Sequence, residues 1–160
     1  MTIRAIAARL LFVCAVIGFL AVGTLRPAHT DDAHYVGSAA CKDCHETEYA
    51  NFCKYSKKVH SAEAVKTMAP DLTPEELKEC FHCHTTGYGE PGGFVSFEKT
   101  PELANAGCEV CHGPGSRHVE EFGDTEYIKG KLTIKDCERC HNPERVAAFD
   151  YKPLIYGGAH

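Results

Sequence analysis

The pattern Cys-x-x-Cys-His occurs four times in this chain of 160 residues, and it constrains the fold more than any other feature. Eight of the ten cysteines lie in these motifs. The cysteine pairs are Cys41/Cys44, Cys80/Cys83, Cys108/Cys111 and Cys137/Cys140, and the histidines that follow them are His45, His84, His112 and His141. In c-type haem attachment the two thiols add across the haem vinyl groups, and the adjacent histidine ligates the iron from one face. The sequence therefore predicts four covalently bound haems.

Structural zinc and disulfides are the alternatives for paired cysteines. Two Cys-x-x-Cys pairs complete one tetrahedral zinc site, so four pairs would make two sites. Zinc does not require a histidine directly after each pair, and ten histidines in 160 residues would rarely fall in all four places by chance. A thioredoxin-like redox motif is disfavoured because no βαβ pattern surrounds the motifs. Haem is therefore the preferred interpretation.

The N-terminal segment has the pattern of an export signal. Arg4 and Arg9 precede an apolar run over residues 10–23, which is the arrangement of a secretory signal peptide. We expect residues 1–28 to be this signal peptide; an uncleaved anchor is the alternative, because the run is close to the minimum that spans a bilayer. Residues 29–160 would then form one tetrahaem domain, which would be located in the periplasm or exported further. Export agrees with haem, since c-type attachment is completed outside the cytoplasm.

The predicted fold is mainly α, with short helices around four covalently bound haems, little β-structure and long irregular connections. The chain has no tryptophan and few long apolar runs, so its own side chains provide little core. Bound haems would fill the interior, and folding would depend on them as it does in small metal-stabilised domains.

N-capping signals precede three of the motifs and predict a short helix before each. They are Thr73 with Glu76 before the second motif, Thr100-Pro101 before the third, and Thr133 with Asp136 before the fourth. Residues 46–68 are expected to be helical. Residues 87–97 are rich in glycine and predict turns with one short alternating strand. Gly113 is expected to end the third helix, and residues 143–160 to be irregular.

Further histidines are candidates for the second axial position of the irons, because electron transfer favours iron with both positions filled. These are His29, His34, His60, His82, His118 and His160. His118 follows His112 by six residues, about 20 Å when extended, so it is expected to serve a different haem. His60 lies fifteen residues after His45, about 22 Å along a helix, so it too should ligate a different ring.

The remaining candidates are less constrained. His160 is the only histidine beyond the fourth motif, and it is either a ligand or a free terminal residue. His82 cannot reach the far side of its own ring, because His84 is two residues away; it would serve another haem or none. His34 is a further candidate. Cys53 is expected to be a buried small hydrophobic residue.

Three segments together resemble the tetrahaem cytochrome c-554 family. The first is Cys41-Lys42-Asp43-Cys44-His45 followed by an aromatic helix and Lys58-Val59-His60; the second is Cys80 to His84 running into Thr85-Thr86-Gly87-Tyr88-Gly89 and Gly92-Gly93-Phe94; the third is Gly107-Cys108-Glu109-Val110-Cys111-His112-Gly113-Pro114-Gly115. The third matches almost residue for residue. The resemblance extends over about residues 36–142.

The resemblance implies a set of distal ligands. By position, His118 would ligate the first haem and His60 the third, while a histidine from the C-terminal region, here His160, would ligate the fourth. The family's second haem can lack a distal protein ligand and so be open to small molecules. This chain departs from the family by being shorter and by carrying His82 inside its second motif.

The predicted function is electron transfer by a periplasmic tetrahaem cytochrome, with other redox proteins as donor and acceptor and no catalytic residues. The alternatives are a catalytic cytochrome that reduces a small nitrogen oxide at an open haem, and a polymeric conductor in which His160 ligates a neighbour's haem. Only the last predicts a homo-oligomer. The formal charge of −5 argues against a nucleic-acid partner and favours basic docking faces. Membrane contact is expected only if the N-terminal segment is retained.

Overall fold

The computed structural model describes residues 33–145, which form short helices joined by turns. The α-helices are α1 (Glu46–Tyr55), α2 (Ser61–Met68), α3 (Pro74–His84), α4 (Glu109–His112), α5 (Ser116–Glu120) and α6 (Ile134–Glu138). Short 3-10 turns occupy Ser38–Cys41, Lys57–His60, Ala69–Asp71, Pro101–Leu103 and Thr125–Tyr127. The described residues contain no β-strand. The mainly α fold is confirmed, while the signal peptide, His29 and His160 lie outside the described residues.

Helix α3 begins and ends where the sequence predicts. The Thr73 hydroxyl accepts a hydrogen bond from the Glu76 backbone N–H at 3.3 Å, and the Glu76 carboxylate accepts one from the Thr73 N–H at 2.9 Å. This capping box satisfies two N–H groups that have no partner within the helix. The Glu76 carboxylate accepts hydrogen bonds from both the Thr73 N–H and the Thr73 hydroxyl, and these lower its pKa. The helix ends at His84, so the second motif occupies its last turns.

The capping box before the fourth motif is also confirmed, although the helix is shorter than expected. The Thr133 N–H donates to the Asp136 carboxylate at 2.8 Å, and the same carboxylate is paired with the Lys129 ammonium group. Helix α6 ends at Glu138. The histidine of this motif, His141, therefore lies beyond the helix.

The predicted helix over residues 46–68 is interrupted at its centre. The Ser56 hydroxyl accepts a hydrogen bond from the Lys58 N–H at 3.3 Å and caps a 3-10 turn. The Ser61 hydroxyl donates to the carbonyl of His84 at 2.8 Å and accepts from the Ala106 N–H at 2.8 Å. These contacts with distant segments compete with a continuous helix. His60 consequently lies at the junction of a turn and α2.

The prediction that a helix runs from Thr100-Pro101 to the third motif is wrong. Only the turn Pro101–Leu103 forms. The Leu103 carbonyl accepts from the Thr86 N–H at 2.9 Å, and the Asn105 carbonyl accepts from the Thr86 hydroxyl at 2.7 Å. The carbonyls that would continue the helix are thus bonded to the segment after the second motif.

The short strand expected within residues 87–97 is also not formed. The Phe94 N–H donates to the Thr86 carbonyl at 2.9 Å, but no ladder follows. Gly93 approaches the Gly87 carbonyl oxygen so closely that an added Cβ would lie 1.7 Å from it. This close approach folds the segment back on itself, and it requires glycine.

A small apolar core lies beside the second motif. Its buried members are Ala62, Phe94, Leu103 and Ala104. The Phe81 ring, which belongs to the second motif, meets the Phe94 ring edge-on with 5.2 Å between ring centres. Leu103 is 1% exposed. The core therefore positions the second motif directly and leaves most of the remaining motif residues partly exposed.

Candidate functional site

The histidine of the first motif faces His118. The ring centres of His45 and His118 are 6.2 Å apart, and their planes differ by 20°. Two imidazoles that ligate one metal from opposite sides have centres about 6 Å apart, because each metal–nitrogen bond is about 2 Å long. The spacing therefore fits one iron between the two rings.

Backbone carbonyls orient three of the candidate iron ligands. The Nδ1 atom of His118 donates to the Asp124 carbonyl at 2.9 Å. That of His84 donates to the Ser61 carbonyl at 3.1 Å, and that of His112 donates to the Lys129 carbonyl at 2.7 Å. A proton held on Nδ1 leaves Nε2 as the nitrogen that can bind metal. These three rings are thus in the tautomer that an iron ligand needs.

A cavity of about 660 Å³ lies where the second, third and fourth motifs meet. Its volume falls within the range of about 300–1,000 Å³ that is usual for cofactor sites. The motif residues that line it are Cys83, His84, Cys111, Cys137, Cys140 and His141. His60 lines the same cavity, and its Nδ1 lies 3.2 Å from a Glu63 carboxylate oxygen. Lys57 and Lys58 add positive charge to the wall, which suits the propionate groups of a haem.

The environment of His141 favours the neutral imidazole that metal binding requires. Two effects lower the pKa of His141 below its ordinary value. The larger is its partial burial, and the smaller is the positive charge of Lys58. This shift favours the neutral form of the ring at neutral pH, which is the form in which an imidazole binds metal.

Attachment cysteines of different motifs lie side by side. Interaction between the Cys41 and Cys108 thiols lowers the pKa of Cys108 to about 6 and raises that of Cys41. Burial and a hydrogen bond with Cys83 raise the pKa of Cys140 to about 12. The first and third motifs are therefore neighbours, as are the second and fourth. None of the nine cysteines within residues 33–145 forms a disulfide.

The tetrahedral site that structural zinc needs is not formed in the described part of the chain. Over residues 33–145, no three histidine, cysteine or acidic side chains are arranged to hold a metal ion by themselves. The pair formed by His45 and His118 contributes only two ligands, which suits an iron whose other four ligands belong to a porphyrin.

His34 and His82 are both exposed. The His34 backbone exchanges hydrogen bonds with Ser116, at 2.9 Å from its N–H to the serine hydroxyl and at 3.2 Å from the Ser116 N–H to its carbonyl. The His82 ring lies edge-on to the Tyr88 ring, with 5.0 Å between centres. Their roles as ligands stay predictions, as do those of His60, His118 and His160.

Glu109 has a structural role beside the third motif that sequence reasoning missed. It lies between the cysteines of the third motif and is only 2% exposed. Its carboxylate accepts hydrogen bonds from the N–H groups of Val36 at 3.0 Å, Gly37 at 2.7 Å and Gly115 at 2.7 Å. Two of these donors are 72 and 73 residues away along the chain, so no local pattern marks the contact.

The prediction for Cys53 is wrong, because its side chain is exposed. It lies one turn after Tyr49 on α1, and a hydrogen bond with Cys53 raises the pKa of the Tyr49 hydroxyl. The apolar face of α1 is instead anchored by Phe52, which is 7% exposed.

The described helices are all short. Over residues 33–145, none is long and apolar enough to cross a membrane.

Comparison with known proteins gives the same family as the motifs. The family described as "Cytochrome c554 and c-prime" matches residues 40–113. Cytochrome c-554 of Nitrosomonas europaea is 30% identical over 98 residues, which cover 52% of this chain and 40% of the relative. The chain thus spans about two fifths of the length of this curated relative. No solved structure matches the chain. The predicted resemblance to the cytochrome c-554 family is confirmed over this segment.

Proposed function

We propose that this chain is an exported electron carrier that holds four c-type haems and exchanges electrons with other redox proteins. When bound, each haem supplies an iron that takes up and releases one electron. The observation that carries the proposal is the pairing of His45 with His118, whose rings are 6.2 Å apart. The match of residues 40–113 to a cytochrome c family supports haem as the cofactor.

The first haem would be held by Cys41 and Cys44, with His45 and His118 on its two faces. The carbonyl of Asp124 fixes the His118 ring through Nδ1. A ligand that is already oriented needs little movement when the iron changes valence, which favours electron transfer over ligand exchange. With a histidine on each face, no free position would remain there for a substrate.

The other three sites use the same elements. His84, His112 and His141 would ligate the second, third and fourth haems, each beside its own pair of cysteines. His60 lines the same cavity as Cys111 of the third motif, which supports His60 as the third haem's distal ligand. His160 is proposed for the fourth.

The contacts between motifs suggest which haems exchange electrons most readily. The attachment thiols of the first and third motifs lie near enough to shift each other's pKa, and so do those of the second and fourth. We infer that electrons exchange most readily within these two pairs of sites. The common cavity, which residues of the second, third and fourth motifs line, joins the pairs.

The first test of the proposal is the mass of the mature protein. Four haems should be attached, and the mass should also show whether residues 1–28 have been removed. Attachment of fewer than four haems, or zinc in place of iron, would contradict the proposal.

The second test is replacement of His118. His118→Ala should convert one low-spin haem to high-spin in the electron paramagnetic resonance spectrum of the oxidised protein, because the first iron would lose one axial ligand. Val119→Ala is the matched control, since Val119 is the next residue of α5 and is 47% exposed; it should keep the parent spectrum. An unchanged spectrum in His118→Ala would remove His118 from the ligand set.

A further inference from the structure

Phe122 occupies the left-handed position that ends α5, where glycine is the usual residue. Its N–H donates to the Val119 carbonyl at 3.2 Å, and the Gly123 N–H donates to the His118 carbonyl at 2.8 Å. The Phe122 side chain is 100% exposed, and its φ of 55° lies in the left-handed region, which is unfavourable for residues with a Cβ. The neighbouring Val119 is 47% exposed. A large aromatic side chain in such a position gains free energy only when something outside the described residues covers it.

Four acidic residues flank Phe122 in the sequence. They are Glu120, Glu121, Asp124 and Glu126, and no lysine or arginine occurs between residues 118 and 128. Glu120 is the last residue of α5 and Glu121 follows it. Negative charge is unfavourable at the C-terminal end of a helix. The Asp124 carboxylate caps the following turn by accepting from the Glu126 N–H at 3.0 Å. Among residues 33–145, the carboxylates of Glu120, Glu121 and Glu126 form no ion pair with a lysine or arginine.

The segment is attached directly to a candidate ligand of the first haem. The Gly123 N–H donates to the His118 carbonyl at 2.8 Å, and the His118 ring donates to the Asp124 carbonyl at 2.9 Å. A protein that contacts this segment would therefore be held beside the first haem. We call residues 119–126 the acidic tip.

We propose that the acidic tip is the docking surface for a redox protein whose own contact face is basic. Phe122 would be the apolar anchor of this contact, and the carboxylates would steer the partner toward it. Nucleic acids and anionic membranes carry the wrong charge for this surface, and a second copy of the chain would present the same acidic tip. The proposal rests on the proposed function, because it takes His118 to be a ligand of the first haem.

The test measures binding of a basic probe, a small lysine-rich cytochrome c, to the haem-loaded protein by titration calorimetry. The tip variants are Phe122→Ala and the pair Glu120→Gln with Glu121→Gln. Matched controls are Met68→Ala, whose side chain is 53% exposed, and the pair Asp71→Asn with Glu75→Gln, which removes the same charge from an exposed surface elsewhere.

Each tip variant should bind the probe about threefold to tenfold more weakly than the parent, as is usual for loss of an interface aromatic residue or of two surface charges. The controls should bind it as the parent does. Raising the salt concentration from about 20 to about 200 mM should weaken parent binding more than that of the double glutamate variant, because screening acts on the charges that the variant lacks.

Three results would overturn the proposal. The first is no binding at low salt, and the second is equal binding by tip and control variants. The third is a changed haem spectrum in Phe122→Ala without weaker binding, which would mean that the ring covers the first haem. The spectrum of His118→Ala tests the ligand assignment separately, so a failure of that assignment is distinguishable from a failure of docking.

Discussion

Replacing the buried carboxylate of Glu109 should destabilise the protein far more than replacing an exposed carboxylate. In Glu109→Gln the side chain keeps its size, but its NH₂ group meets a backbone N–H where a carboxylate oxygen had accepted a hydrogen bond. The Gly37 and Gly115 N–H groups donate to different oxygens of the Glu109 carboxylate, each at 2.7 Å. Whichever way the amide turns, one of these two donors therefore loses its acceptor.

The magnitude follows from the hydrogen bonds that are lost. A hydrogen bond to a charged group contributes about 1.5–3 kcal/mol, so Glu109→Gln should lower the free energy of unfolding by about 2–3 kcal/mol. Glu109→Ala leaves the N–H groups of Val36, Gly37 and Gly115 without the carboxylate, and it should cost about 3–6 kcal/mol. That is a large part of the stability of a typical domain, about 5–15 kcal/mol.

The assay is urea denaturation of the haem-loaded protein, followed by far-ultraviolet circular dichroism. With a typical slope of about 1–3 kcal/mol per molar urea, Glu109→Gln should lower the midpoint by about 0.7–3 M. Glu75→Gln is the control, because Glu75 is exposed in the first turn of α3, and it should stay within about 0.5 kcal/mol of the parent. A midpoint for Glu109→Gln equal to that of the control would refute this reasoning.

Four further predictions concern other parts of the molecule. His60→Ala should convert one low-spin haem to high-spin; an unchanged electron paramagnetic resonance spectrum would remove it from the ligand set. The reduced protein should bind about one equivalent of carbon monoxide per four haems, at the haem beside His84, if that haem lacks a distal ligand; no binding would mean that all four irons are saturated. Gly93→Ala should lower the thermal midpoint far more than Gly130→Ala, because an added Cβ would lie 1.7 Å from a backbone oxygen at the first position and meets nothing within 4 Å at the second. The hydrogen bond with Lys129 lowers the pKa of Asp136 to about 2, so the stability difference between the parent and Asp136→Asn should be present above pH about 4 and disappear as the pH falls toward about 2; a difference that persists at the lower pH would contradict this.

Local signals predicted the parts of the fold that depend on neighbouring residues. The capping boxes at Thr73 and Thr133 form as expected, because donor and acceptor are three residues apart. The helix predictions were wrong where groups distant in sequence form hydrogen bonds with the backbone or side chains of the predicted helix. Thr86 takes the carbonyls that would have continued a helix from Pro101, and Ser61 binds the segments around His84 and Ala106. No pattern within either predicted helix contains that information.

The residues of the candidate site likewise include some that local sequence identifies and some that it does not. Each Cys-x-x-Cys-His motif specifies its own thiols and its own histidine within five residues, so these were identifiable from sequence alone. A distal histidine belongs to a remote segment, and the spacing around His118 indicated only that it serves a haem other than the third. Its assignment to the first haem came from the family resemblance, and the 6.2 Å spacing from His45 provides independent geometric support.

The contacts of Glu109 explain how two such remote histidines come to face each other. Its carboxylate binds the N–H groups of Val36 and Gly37, while Ser116 and His34 exchange two further hydrogen bonds. The segment before the first motif is therefore fixed against the segment that begins α5. His45 follows Gly37 by eight residues, and His118 follows Ser116 by two. Both histidines are therefore close in sequence to segments that are hydrogen-bonded to each other. Since these anchoring groups belong to the polypeptide, they reduce the conformational freedom that is lost when the two rings meet at one site.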